Sequence, residues 1–279
     1  MKKLWKIAAL VLSLVLVVGC FAACGSSDDV DEPDAGAEAT SEAGTTEAAE
    51  SDRLADGVLT VGTNATFPPF EYLGDDNAPD GFDIALIKLI GEKIGVEVEI
   101  LDMEFDALCT SVGNRIDVAI AGMTVDPERE KTVDFSDNYY KAIQNVLVAA
   151  DNTDITDMAS LAGKTIGVQL GTTGDFIASD DVENADVRQY NSYALAVEDL
   201  KNGNVDAVII DQNPAQVFAA ENPDEVKLLG PESFGFSEEF YAIACPEGDT
   251  ALVARINAAL SEIQSSGEFD ALVAEYIEQ

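Results

Sequence analysis

The feature that most constrains this chain is a pattern written twice. Gly113-Asn114 leads through Ile116-Asp117 into a buried apolar run, and Gly203-Asn204 leads through Val205-Asp206 into another. A helical stretch precedes each copy. Around them strand and helix alternate. Residues 58–62 read as a strand, and Phe82, Ala85, Leu86, Leu89, Ile90 and Ile94 recur at helical spacing up to Gly95, a natural helix terminator. Residues 96–100 alternate apolar with acidic, as a strand with one wet face does. A short helix from Phe105 then precedes 116–121, apolar enough to be covered on both faces. The second half repeats the order, with strands at 165–170, 187–190 and 205–210 and a helix over 193–201. Repeated βαβ units predict an α/β protein of two lobes. Each lobe is a mostly parallel sheet flanked by helices, with right-handed crossovers and a ligand cleft at the strands' carboxyl ends.

The N-terminal region has a different character. Lys2, Lys3 and Lys6 precede a twelve-residue apolar run at 7–18. That is short of the roughly 20 residues needed to span a bilayer, so it reads as a secretory leader. Small residues lead into Cys20 and Cys24, and Ala22-Ala23-Cys24 resembles a bacterial lipobox, with Cys24 the lipidated residue and Cys20 the alternative. Residues 1–24 are therefore expected to be a lipoprotein signal peptide. Residues 25–56 hold 11 acidic residues and one basic one among Ala, Gly, Ser and Thr, too polar and self-repelling to form a core, so they read as a disordered linker. Residues 57–279 carry 42 of the 53 acidic residues and 11 of the 15 basic ones. Such a field disfavours nucleic acid and anionic lipid as partners. The chain has no histidine, which excludes a Ser-His-Asp triad, histidine-ligated zinc and an unperturbed pH switch near neutrality. No P-loop pattern, metal or cofactor motif is present. Cys109 and Cys245 are far apart in sequence, and whether they pair is left open.

Seven motifs then occur in order: Gly62-Thr-Asn-Ala-Thr-Phe-Pro-Pro-Phe-Glu71, Gly81-Phe-Asp83, Glu104-Phe-Asp-Ala-Leu108, Gly122-Met-Thr-Val-Asp-Pro-Glu-Arg129, Asp134-Phe-Ser-Asp137, Gly167-Val-Gln-Leu-Gly-Thr-Thr173 and Asp206-Ala-Val-Ile-Ile-Asp211. Together they resemble the polar amino acid family of extracellular solute-binding proteins that serve ABC importers. The resemblance covers about 57–279 and implies a monomeric receptor, lipid-anchored outside the cytoplasm. Its partners would be an amino acid ligand, a permease and the permease's ATPase. It also implies lobe one from 57–140 with 240–279, and lobe two from 141–239. Hinge crossings are expected near 141–143 and 236–239, before a strand at 240–245.

The candidate ligand-binding residues follow from the same resemblance. Arg129 lies among Glu128, Glu130 and Lys131, where a solvated ion pair is the bland reading; a planar guanidinium is also the natural bidentate partner of an α-carboxylate. The resemblance assigns Arg129 that role, joined by Thr124, with the Gly122 carbonyl accepting from the ammonium. Thr172 and Thr173 open a helix, where capping alone explains them, yet the resemblance gives them the carboxylate as well. Asp211 is either a helix cap or the partner of the α-ammonium. Phe67 and Phe105 match aromatics that sandwich the ligand's side chain, or are plain core. Asn64 stands where many relatives carry Asp, and Gly122 where basic amino acid binders carry serine. Both departures favour a neutral polar ligand. The chain reads as a binding protein and not an enzyme. The alternatives are a cyclohexadienyl or arogenate dehydratase-like enzyme on the same fold, and a sensory lipoprotein.

Overall fold

The computed structural model describes residues 52–278. The leader, Cys20, Cys24 and nearly all of the linker lie outside the described residues. The chain enters β1 (Val58–Thr63), passes through the short strands β2 (Thr66–Phe67), β3 (Glu71–Leu73) and β4 (Pro79–Asp80), and returns along helix α1 (Phe82–Ile94) to β5 (Glu97–Asp102). A helical turn, α2 (Leu108–Ser111), leads to β6 (Val118–Ala119), β7 (Val133–Phe135) and the long β8 (Tyr140–Ala149). Strands β9 (Thr165–Gln169), β10 (Asp186–Tyr190), β11 (Ala207–Asp211) and β12 (Val226–Leu229) follow. Helices α3 (Thr173–Phe176), α4 (Tyr193–Lys201) and α5 (Gln212–Glu221) connect them. β13 (Glu238–Tyr241), β14 (Ala244–Pro246), α6 (Thr250–Ser266) and α7 (Glu268–Leu272) complete the fold.

Two main sheets result, ordered β5-β1-β6-β14-β7 and β10-β9-β11-β8-β12, the second joined by β13 on β8, and β2-β3-β4 form a small third sheet. Along each ordered path four strands share one direction and one, β14 or β8, opposes them, and β13 also runs against β8. This is the two-lobed, mostly parallel α/β architecture that the repeat implies. Helix α1 ends on Gly95 at φ 76, whose N–H reaches the Glu92 and Gly91 carbonyls, as the sequence predicts. β11 is buried at every residue because helices cover it on one side and the Phe234 cluster on the other.

Two strands differ from the sequence reading. The expected strand at 240–245 is broken. β13 pairs with the first half of β8, from Glu238 opposite Ile143 to Tyr241 opposite Tyr140, while β14 pairs with β6 and β7 of the other sheet. The chain changes sheets at Ala242, whose N–H turns to the Met123 carbonyl at 3.1 Å. The expected strand at 116–121 is regular only at Val118–Ala119. Its flanks still bond to β1, Asp117 N–H to Thr60 O at 2.8 Å and Ile120 N–H to Gly62 O at 3.0 Å, before Gly122 bends the chain at φ 51. Cys109 and Cys245 are free thiols, the second fully buried with its thiol pushed up to about 12 by desolvation.

Candidate functional site

The carboxyl ends of the parallel strands converge. Asn64 follows β1, Gly122 and Thr124 follow β6, Thr172 and Thr173 follow β9, and Asp211 ends β11. These six, with Phe67, Phe105 and Arg129, line one cavity, a concave meeting of apolar walls and a few convergent polar groups of the kind that small molecules use. All nine sequence-predicted residues are thus brought together. Glu71, Ala121 and Gln169 complete the lining.

Arg129 is 7% exposed, which removes the surface ion-pair reading. Its guanidinium donates to the Thr124 carbonyl at 2.6 Å and, across the cleft, to the Gly171 carbonyl at 3.0 Å. The Phe105 and Phe176 rings flank it at 5.4 and 5.7 Å. Burial lowers its pKa, opposed by nearby anionic groups including Asp126 and Asp211. A planar cation held on carbonyls and ring faces keeps further donors for a bidentate anion. Phe105 therefore packs on the clamp itself, while Phe67 stacks on Phe70 and leans on Tyr193.

Asp211, 6% exposed, stands at the start of α5 but its carboxylate caps nothing there. It accepts instead from the Tyr241 hydroxyl at 2.6 Å. Desolvation raises its pKa, so a cation at this point would be strongly stabilised. Thr172 does cap α3: its hydroxyl accepts from Asp175 N–H at 3.3 Å, donates to the Gln169 carbonyl at 2.8 Å and meets the Tyr193 hydroxyl at 2.9 Å. Thr124 donates its hydroxyl to Glu239 at 3.0 Å.

Gly122 has a steric reason to be glycine. A Cβ there would lie 2.8 Å from the Phe67 ring, on a backbone with φ in the left-handed region. Gly174 is similar, since a Cβ would meet the Ile209 carbonyl at 2.5 Å where α3 rests on β11.

Asn64 is more occupied than the sequence suggests. Its amide donates to Met103 O at 2.8 Å, and its oxygen accepts from Thr66 Oγ1 at 2.7 Å and from Gln169 Nε2, across the cleft, at 2.8 Å. It fastens the two sheets' loops together and has little left to read a ligand with.

Sequence reasoning passed over four polar groups. Glu71 lies inside the first motif, an acid between aromatics; it is 1% exposed and neither carboxyl oxygen has a donor. Burial first, then Asp83, raises its pKa well above the usual range. Gln169 ends an apolar strand, a position that could have flagged it. Glu239, on β13, is pushed up to about 7 by desolvation and Asp211, and Gln144 on β8 donates to it at 3.3 Å. Nothing in the local sequence marks either of these two.

The sequence profile of the bacterial extracellular solute-binding proteins, family 3, matches residues 59–279. Among individual proteins, the arginine-binding extracellular protein ArtP of Bacillus subtilis (strain 168) is 34% identical over 219 residues, covering 77% of this chain and 84% of that protein. The arginine-bound form of truncated ArgBP from T. maritima superposes with a TM-score of 0.71 at 40% identity, over 76% of this chain and 99% of that one. The ancestral amino acid-binding protein AncCDT-1, a precursor of cyclohexadienyl dehydratase, superposes with a TM-score of 0.75 at 31% identity, over 81% and 98%. Profile, relatives and fold agree: the chain belongs to the bacterial extracellular solute-binding proteins, family 3.

Proposed function

We propose that this protein captures an extracellular α-amino acid between its lobes and hands it to a membrane ABC permease and its ATPase. One observation carries the reading: a buried arginine and a buried aspartate, Arg129 and Asp211, line the same small cavity from opposite sheets. The α-carboxylate pairs with Arg129, helped by Thr124 and Thr173, and the α-ammonium with Asp211 and the Gly122 carbonyl. Glu71 lines the same cavity with two unpartnered oxygens, which supports a side chain that is cationic or rich in N–H donors rather than the neutral one that Asn64 and Gly122 suggest from sequence. The arginine-binding relatives fit this side chain.

The lobes move as 57–140 with 240–279 against 141–239. The antiparallel pair of β8 and β13 is where both crossings run side by side, which supports a hinge there. A diacylglyceryl group on Cys24, with 25–56 as tether, holds the monomer at the outer face of the cell membrane. A thermal-shift screen against the twenty amino acids tests the ligand class, since a ligand at 100 times its Kd stabilises by ~2.7 kcal/mol. Stabilisation by none of them, after endogenous ligand has been stripped, would overturn the reading.

A second reading has its own observation. Glu239 near neutrality is a carboxyl able to act as a general acid beside the cavity, and AncCDT-1 shares the fold. Formation of an aromatic product from prephenate or arogenate would establish it, and saturable binding without turnover would remove it.

A further inference from the structure

Carboxyls outnumber cations at this cleft. Glu71 and Asp211 line the cavity against Arg129 alone. Behind Glu71 lies Asp83 on α1, fully buried. Asp83 Oδ2 accepts from Gly122 N–H and from the Tyr139 hydroxyl, both at 2.7 Å, whereas its Oδ1 and both Glu71 oxygens have no donor. The backbone holds the two residues together: Asp83 N–H donates to the carbonyl of Phe70, the neighbour of Glu71, at 2.9 Å, and each carboxyl acts on the other's charge. Two ionised carboxylates cannot share so dry a site, but one proton between them gives Asp83 Oδ1 its missing donor. The other groups facing the pair do not neutralise it. Tyr139 is held neutral by burial, Asp211 adds negative charge from the end of β11, and beyond Asp211 stand Glu239 and Tyr241 on β13.

The geometry points to an exchange: the ligand's side-chain cation, on docking against Glu71, displaces the proton that Glu71 shares with Asp83 and sends it to solvent. This rests on the amino acid reading above and adds its regulation. No new bond forms apart from the ion pair; one O–H is lost and one proton appears in the medium. The sign follows. Glu71 binds its proton more tightly before the cation arrives than after, so affinity for a cationic amino acid rises with pH between those two values. It levels off above the higher one. In a chain with no histidine, this carboxyl pair makes the affinity for a cationic ligand depend on pH.

Calorimetry on the purified protein tests it, with L-arginine and its uncharged analogue L-citrulline titrated at pH 7 in buffers of different ionisation enthalpy. Arginine is expected to release close to one proton more per site than citrulline, and its Kd to tighten by up to about tenfold per pH unit on the rising limb. Glu71→Gln, whose amide mimics the protonated carboxyl, should abolish the difference between the two ligands. Should that variant fail to fold, the pH series on the unaltered protein still decides. Arginine bound with no excess proton over citrulline and a pH-independent Kd sinks the exchange and leaves the receptor reading standing, whereas the absence of any amino acid binding sinks both.

Discussion

Replacing Arg129 by alanine isolates the clamp. The side chain gives two N–H groups to the Thr124 and Gly171 carbonyls and lies between two rings, so its plane is fixed before a ligand enters. A carboxylate meeting it loses little further entropy, and breaking such a buried charge pair costs ~2–5 kcal/mol. At ~1.4 kcal/mol per tenfold, Kd should weaken by about 30-fold to several thousand-fold. The fold should suffer much less, because the lost carbonyl bonds are offset by relief of a buried charge whose pKa desolvation already lowers. Arg129→Lys should recover part of the affinity at most, since an ammonium keeps the charge but not the fork. Calorimetry with L-arginine, alongside thermal melts, separates binding from stability. An unchanged Kd in a folded Arg129→Ala protein would refute the clamp.

Other perturbations follow from the same geometry. Asn64→Asp turns a carboxylate oxygen toward the Met103 carbonyl in place of an amide donor, so it should cost ~1–3 kcal/mol of stability in melts and leave the ranking of ligands unchanged; a gain in cation preference would restore Asn64 as a specificity residue. Gln169→Ala removes the bond to Asn64 across the cleft and should raise the radius of gyration measured by scattering without ligand, while an unchanged radius would show that this bond does not hold the lobes together. Asp83, raised to about 6, and Glu239, raised to about 7, bind protons more tightly folded than unfolded. Their stabilisation is therefore full below about pH 4 and is lost as pH rises through 6 and 7. Melting temperature should fall from pH 5 to pH 8, less steeply in Glu71→Gln, and a rise would contradict the assignment. Mass spectrometry of the mature N-terminus should find a lipidated Cys24; a start at Cys20 moves the anchor, and an unmodified start elsewhere removes it.

The fold was legible in the sequence because it rests on local period and on turns with fixed residue demands. The helix over Phe82–Ile94 with Gly95 at its end, and the helix over Tyr193–Lys201, fall where the spacing puts them. The strand at 240–245 was misread because apolar continuity cannot tell that Tyr241 belongs beside β8 and Ala244 beside β7. In the site, backbone-defined positions were legible: residues just past strand ends reach the cleft whatever their partners. Side-chain partnerships were not. Glu71 and Asp83 are twelve residues apart, on a strand and a helix that only the tertiary fold brings together. Asn64 was read from what aspartate does in relatives, whereas its amide is committed to Met103 and Gln169. Whether Asp211 caps a helix could be decided only from where its carboxylate points.

The most direct test of the central claim is a crystal structure of the protein with an amino acid bound. The account predicts one ligand in the cavity between the sheets, its α-carboxylate forked on Arg129, its ammonium on Asp211 and its side chain directed at Glu71. A ligand seated in an outer groove, or one in the cleft that leaves Arg129 and Asp211 untouched, would contradict it.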